Sequence, residues 1–302
     1  MIMITPPFLK SGDKVAIVAT ARKVSYAEME AAISRLKSWG LSVVTGNHLT
    51  SDNNQFAGTD QERTTDMQQM LDDPDVKAIF CARGGYGSVR IIDQLDFTGF
   101  IATPKWIVGY SDITVFHSHI NRNFRVETLH GPMPINFPAY GKENPSTESL
   151  RKVLFGEEIK CTVPGHKLNR KGSAQAELIG GNLSILYSLS ATPSDIETHG
   201  KILFIEDVDE YLYHIDRMMM NLKRSGKLGH LAGLIVGGMT KMNDNAIPYG
   251  KTAEEIISDA VAEYSYPVCF NFPAGHQDQN FALIIGRVVK LTVNSNSELH
   301  FI

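Results

Sequence analysis

A serine can act as a nucleophile when it sits on a tight turn, has a base to take its proton, and has backbone N–H groups aimed at the developing oxyanion. The stretch IVGYSDIT, residues 107–114, offers the first requirement: two β-branched residues, a Gly-Tyr-Ser-Asp turn at 109–112, then a helical pattern. In a strand-turn-helix geometry the N–H of Asp112, next after Ser111, would face the reacting carbonyl oxygen. A second donor can come from RGGYGS, 83–88, where consecutive glycines bring the backbone close to a ligand. The match to a G-x-S-x-G elbow is partial, since Ile113 stands where the second glycine belongs. Ser111 as a simple helix N-cap is the competing reading.

The base has to come from ten histidines. His117 and His119, two apart in a predicted helix, face different ways and make a poor metal pair. His130, in LHGP, fits a satisfied strand-end residue as well as a site residue, and His166, His199, His214 and His230 lie in polar or helical surroundings without a distinguishing pattern. His276, in FPAGHQDQ, lies on a glycine-containing loop after a predicted strand, where functional residues tend to sit. A carboxylate to orient the imidazole is available in KILFIEDVDE, which holds Glu206, Asp207, Asp209 and Glu210. Glu206 directly follows the apolar run and would emerge at a sheet's carboxyl edge, whereas Asp209 and Glu210 suit the start of the next helix. Asn182, after two glycines, is ambiguous in the same way, since that position also suits a helix N-cap.

The elements that must position these residues alternate. KVAIVAT (14–20), LSVVT (41–45), VKAIFCA (76–82) and KWIVG (105–109) read as strands. Between them lie helices, two opened by capping boxes (Ser25 with Glu28, Thr59 with Glu62) and one over about 88–95. Such alternation predicts a mainly parallel sheet covered on both faces, with ligands at the carboxyl ends of its strands. RGGYGS and GYSD both fall there. Beyond residue 140 the pattern loosens, with Pro145, Gly156, Pro164 and Gly172 among polar residues, and predicts a linker over 141–173. A second, smaller α/β domain follows over 174–302, with helices near 210–224 and 252–263 and strands at 267–271, 281–285 and 287–293. The fold class is therefore α/β in two domains, the first being residues 1–140.

The formal net charge is −4, from 29 basic and 33 acidic residues, and no Lys/Arg block forms a phosphate-tracking stripe, which argues against nucleic acid as a partner. No stretch approaches the roughly 20 apolar residues of a membrane span, and no export signal is expected. Three widely spaced cysteines suggest neither a disulfide framework nor a metal site and fit a reducing cytoplasm.

RGGYGSVRIID, IVGYSDIT, LHGPM, AELIGGNLS, LFIEDVDE and FPAGH, in that order over nearly the whole chain, resemble the LD-carboxypeptidase (muramoyltetrapeptide carboxypeptidase) family of serine peptidases. The resemblance implies a catalytic triad of Ser111, Glu206 and His276, with oxyanion donors at the N–H groups of Gly85 and Asp112. It implies a class I glutamine amidotransferase-like first domain and a swivelling β/β/α second domain, with the site at their interface. Hydrolysis of the amide between a diamino acid, meso-diaminopimelate or lysine, and the terminal D-alanine of a murein tetrapeptide is the reaction implied, as a cytoplasmic step of cell-wall recycling by a homodimer without metal or organic cofactor. Arg83, with Gly84 and Tyr86, is the expected substrate contact, Arg83 as the nearest cation for the terminal carboxylate. Relatives that act on peptidyl-nucleotide antibiotics share the triad but carry an extra aromatic-bearing loop; residues 140–173 contain Phe155 and no Trp, which favours murein peptide. A noncatalytic nucleotide-binding protein is the reading from another class, though the glycines at 84, 85 and 87 match G-x-G-x-x-G poorly.

Overall fold

The computed structural model describes residues 3–139 and 142–302. Its elements run β1 (Lys14–Val18), α1 (Tyr26–Ser38), β2 (Ser42–Thr45), α2 (Asp60–Asp72), β3 (Val76–Cys81), α3 (Thr98–Ala102), β4 (Trp106–Gly109), α4 (Thr114–Phe124) and β5 (Thr128–His130). There follow α5 (Pro145–Leu154), β6 (Lys160–Pro164), β7 (Gly172–Asn182), α6 (Leu183–Ser188), β8 (Ile202–Val208), α7 (Leu212–Arg224), β9 (Gly233–Thr240) and α8 (Ala253–Ala260). The chain ends with β10 (Val268–Cys269), β11 (Leu283–Ile285), β12 (Val288–Val293) and β13 (Asn296–Phe301).

Both expected capping boxes form: the Ser25 and Thr59 hydroxyls accept from the N–H groups of Glu28 and Glu62, whose carboxylates reach back to the cap N–H. Helix α1 buries Met29, Ala32, Ile33 and Leu36, the i, i+3, i+4, i+7 face of an amphipathic helix. Strands β1 and β3 are apolar on both faces. Val15, Ile17, Ala78 and Phe80 enter one core layer while Ala16, Val18, Ile79 and Cys81 enter the other.

The first sheet has the order β11-β5-β4-β3-β1-β2, parallel throughout except at β11. Chain order reverses between β1 and β3, so the topological switch point lies there. The second sheet, β10-β9-β8-β7-β12-β13-β6, is parallel from β10 to β7 and antiparallel from β7 to β6.

Three expectations change. Residues 88–95 are two 3-10 turns, Ser88–Arg90 and Ile92–Gln94, rather than one helix. There Ser88 N–H is held by the Asp112 carboxylate and the Arg90 side chain by Asp60. The segment read as a linker over 141–173 carries structure. Asn144 caps α5, which sends Leu150, Val153 and Leu154 into the first core, and β6 pairs with β13. Its Pro145 begins the helix, where proline has no N–H to lose. Finally, β11, though late in the chain, pairs antiparallel with β5, Leu283 opposite His130, and so completes the first sheet from within the second half of the chain.

Candidate functional site

Ser111 follows β4 with φ of 63°, a left-handed conformation uncommon for a residue with a side chain and costing roughly 1–3 kcal/mol. It begins a 3-10 turn, Ser111–Ile113, that leads into α4, and Tyr110 occupies the cap position without a side-chain cap bond. Ser111 is therefore not an N-cap. Its hydroxyl is spared from capping and partly exposed, as an activated nucleophile requires.

Gly84 packs directly against this turn: a Cβ there would lie 3.0 Å from Ser111 Cβ, 3.2 Å from Ser111 Oγ and 3.5 Å from Asp112 N. Gly85, at φ 112°, and Gly87, at φ 150°, adopt backbone that favours glycine. A buried network locks the loop. The Arg63 guanidinium donates to the carbonyls of Thr20 (2.7 Å) and Gly87 (3.0 Å), and Ser88 N–H donates to Asp112 Oδ2 at 2.8 Å. Burial raises the Asp112 carboxyl's pKa, against the hydrogen bonds from this loop. Among the described residues no acceptor takes the N–H of Gly85 or Asp112, which leaves both available to a ligand.

Glu206 lies in β8, fully buried, where the pairing with β9 shifts register between Ile205 and Asp207. Such a bulge re-aims a side chain. Room for the carboxylate comes from glycines: a Cβ on Gly275 would lie 2.6 Å from Glu206 Oε2, and one on Gly237 3.2 Å from Glu206 Cβ. Glu206 Oε2 accepts from His276 Nδ1 at 2.7 Å and from His276 N–H at 3.1 Å. The His276 loop is fixed by Gly275 N–H donating to Asn280 Oδ1 (2.8 Å) and by the Thr240 hydroxyl donating to the His276 carbonyl (2.6 Å). Burial disfavours the imidazolium, but the Glu206 hydrogen bond and the charges of Glu206 and Asp207 outweigh it. The His276 pKa is raised above 6.5. Asp207 itself is pushed up to about 7 by burial and the neighbouring Glu206 charge. It accepts from Asn182 Nδ2 (3.0 Å) and Ser184 N–H (2.9 Å) while Asn182 caps α6.

Tyr110 joins the two halves of this site. Its ring packs at a tilt against His276, 4.8 Å centroid to centroid, and edge-on to His130 at 5.8 Å. A further bridge runs from Asn182 N–H to Thr114 Oγ1 (3.0 Å), which ties the end of β7 to the start of α4. The serine turn after β4, the glycine loop after β3 and the Glu206–His276 pair are brought together by these contacts.

The other candidates disperse. His117 donates through Nε2 to the Gly109 carbonyl at 2.9 Å and burial lowers its pKa to about 4, whereas His119 bonds Ser194 Oγ at 2.9 Å. His130 is fully buried, its pKa held well below 6.5 by burial, and it packs edge-on against Phe204. Asp209 accepts from Asn243, and Glu210 pairs with His214. Arg83 faces Glu28, Nη1 to Oε1 3.8 Å, and Tyr86 is exposed beside Phe56. Sequence reasoning gave no role to Tyr110, Thr114 or Asn280. Only Tyr110 carried a signal, its place beside Ser111. A cavity of about 270 Å³ lined by Asn121, Arg125, Ile179 and Lys201 lies at the opposite end of α4 and holds none of these groups.

The chain resembles known proteins in both of its halves. Residues 15–131 match the LD-carboxypeptidase N-terminal domain family and residues 175–291 the LD-carboxypeptidase C-terminal domain family. A Bacillus subtilis (strain 168) protein named "Probable murein peptide carboxypeptidase" is 37% identical over 93% of this chain and 89% of its own length. The murein tetrapeptide carboxypeptidase of Pseudomonas aeruginosa is 29% identical over 93% and 94%. The crystal structure of muramoyltetrapeptide carboxypeptidase from Oxalobacter formigenes superposes with a TM-score of 0.87 at 27% identity, over 95% of this chain and 98% of that one. The microcin C7 self immunity protein MccF, at 20% identity and a TM-score of 0.87, shares the fold. Two matched domains and a full-length relative of this identity leave one conclusion: the chain belongs to the LD-carboxypeptidase family.

Proposed function

We propose that this protein is a serine LD-carboxypeptidase that removes the terminal D-alanine from murein tetrapeptides by cleaving its amide with the diamino acid. The observation that carries the reading is the buried Glu206 bonded to His276 Nδ1 at 2.7 Å, with the Tyr110 ring seating that imidazole beside the left-handed Ser111 turn. Because Nδ1 is committed to Glu206, Nε2 is the nitrogen left to take the Ser111 proton. Ser111 Oγ attacks the carbonyl carbon of the diamino acid, and the oxygen's charge is received by the N–H groups of Gly85 and Asp112. The C–N bond then breaks, His276 gives its proton to the departing D-alanine nitrogen, and water, deprotonated in turn by His276, releases the tripeptide.

The names of the relatives from Bacillus subtilis and Pseudomonas aeruginosa support the murein substrate. The reading places the protein in the cytoplasm, in cell-wall recycling, as a homodimer. Among the described residues no helix is long and apolar enough to cross a membrane. We take the first half as class I glutamine amidotransferase-like and the second as a swivelling β/β/α domain, divided at residues 140 and 174, with β11 exchanged into the first sheet.

Incubation with L-Ala-γ-D-Glu-meso-diaminopimelate-D-Ala and its lysine counterpart tests the reading. D-Alanine release from at least one is expected, with Ser111→Ala slower by at least about 10³-fold at an unchanged melting temperature. Full activity in Ser111→Ala would overturn it. Cleavage of a peptidyl-nucleotide conjugate, with neither tetrapeptide touched, would give the site to the other substrate class.

A further inference from the structure

A carboxypeptidase must tell a free terminal carboxylate from an amide, and we propose that Arg22 makes that distinction; the assignment rests on the carboxypeptidase reading above. Three neighbouring strands of the first sheet, β1, β3 and β4, each release a loop at the same carboxyl edge. The loop after β4 holds Ser111, the loop after β3 holds Gly84 and Gly85, and the loop after β1 holds Arg22. The β1 and β3 loops flank the topological switch point, where open parallel sheets bind their ligands.

The Arg22 side chain lies against the glycine loop. A Cβ placed on Gly85 would collide with Arg22 Cγ and Cδ, so the arginine stem covers the residue whose N–H faces the reacting oxygen. The guanidinium begins one bond beyond Cδ, and Arg22 is exposed. Its backbone is held there by an N–H to the Gly84 carbonyl (3.4 Å) and a bridge to Phe56. The remaining cations of these loops are engaged, Lys23 with Asp52, Arg83 with Glu28 and Arg90 with Asp60, as is Arg63 of α2, also with Asp60. Among the described residues Arg22 has no acidic partner. Lys241 lies on the His276 side, where its charge opposes the imidazolium.

In D-alanine the carboxylate is attached to the carbon that also bears the scissile nitrogen. With the scissile carbonyl oxygen at Gly85, that carboxylate falls within reach of a side chain lying over Gly85. A planar guanidinium binds both carboxylate oxygens at once, which a carboxamide cannot match.

The test compares the diaminopimelate tetrapeptide with its C-terminal D-alaninamide in wild type, Arg22→Met, Arg22→Lys and Lys241→Met. Methionine keeps an apolar stem over Gly85 and removes the charge. In Arg22→Met, kcat/KM for the acid is expected to fall about 10- to 100-fold while that for the amide stays within about 2-fold, so the wild-type preference for the acid collapses. Arg22→Lys is expected to recover part of it. Equal losses on acid and amide would mean that Arg22 only supports the glycine loop, and would overturn the assignment. So would an unchanged acid-to-amide ratio in Arg22→Met, or a collapse in Lys241→Met alone. A wild-type protein that releases nothing from either peptide overturns the carboxypeptidase reading first and the role of Arg22 with it.

Discussion

At the scale of single residues, the Glu206–His276 pair makes the sharpest prediction. A buried carboxylate and a partly buried imidazole each lose hydration, and their mutual hydrogen bond returns it. The net effect holds the His276 pKa above 6.5. A general base must be neutral to accept a proton, so kcat/KM should fall on acidification, with the limb above pH 6.5. Glu206→Gln can keep an acceptor for Nδ1 but removes the negative charge that strengthens this bond and raises the pKa, and leaves the burial that lowers it. Its residual activity, reduced by about 10³- to 10⁴-fold, should therefore show an acid limb at lower pH than wild type. A pH profile whose limb does not move would separate Glu206 from His276 function.

At the scale of elements, the site depends on how β7, β8 and α4 abut. Gly181, at φ 149°, lets the end of β7 approach α4 so closely that a Cβ would stand 2.5 Å from Thr114 Oγ1. The same hydroxyl accepts the buried Asn182 N–H. Thr114→Val keeps the side-chain shape and leaves that N–H without a partner, at a cost of about 1–3 kcal/mol. A urea midpoint unchanged from wild type would contradict this role. The capping boxes of α1 and α2 and the apolar runs of β1 and β3 were legible in sequence because they depend on neighbours within a few residues. The bulge at Glu206 was not. It arises from register with β9, some 30 residues downstream, and alternation alone gives no sign of it.

At the scale of the whole molecule, the two sheets are interlocked rather than strung on a linker. Strand β11 closes the edge of the first sheet beside β5, and α5 fills its core with Leu150, Val153 and Leu154. Ser146 and Ser149 then accept the N–H groups of Asn280 and Ala282, at 2.9 and 3.0 Å, which ties α5 to the chain around β11. A chain ending at residue 140 lacks both elements and should show no cooperative unfolding transition by circular dichroism in urea. A wild-type-like transition in that fragment would show that the first domain stands alone.

The sequence by itself determined the chemistry on offer. A serine on a strand-to-helix turn, a glycine-rich loop, a carboxylate ending an apolar strand and a histidine on a late glycine loop are local patterns, each fixed by a few adjacent residues. Their order along the chain was enough to indicate the family. Tertiary structure decided which groups touch: that Glu206 reaches His276, that Tyr110 seats the imidazole, that Arg83 turns toward Glu28, and that Arg22 lies over Gly85. Those contacts join residues 55 to 166 positions apart and depend on where each side chain points. They are set by sheet register and packing, which no local pattern encodes.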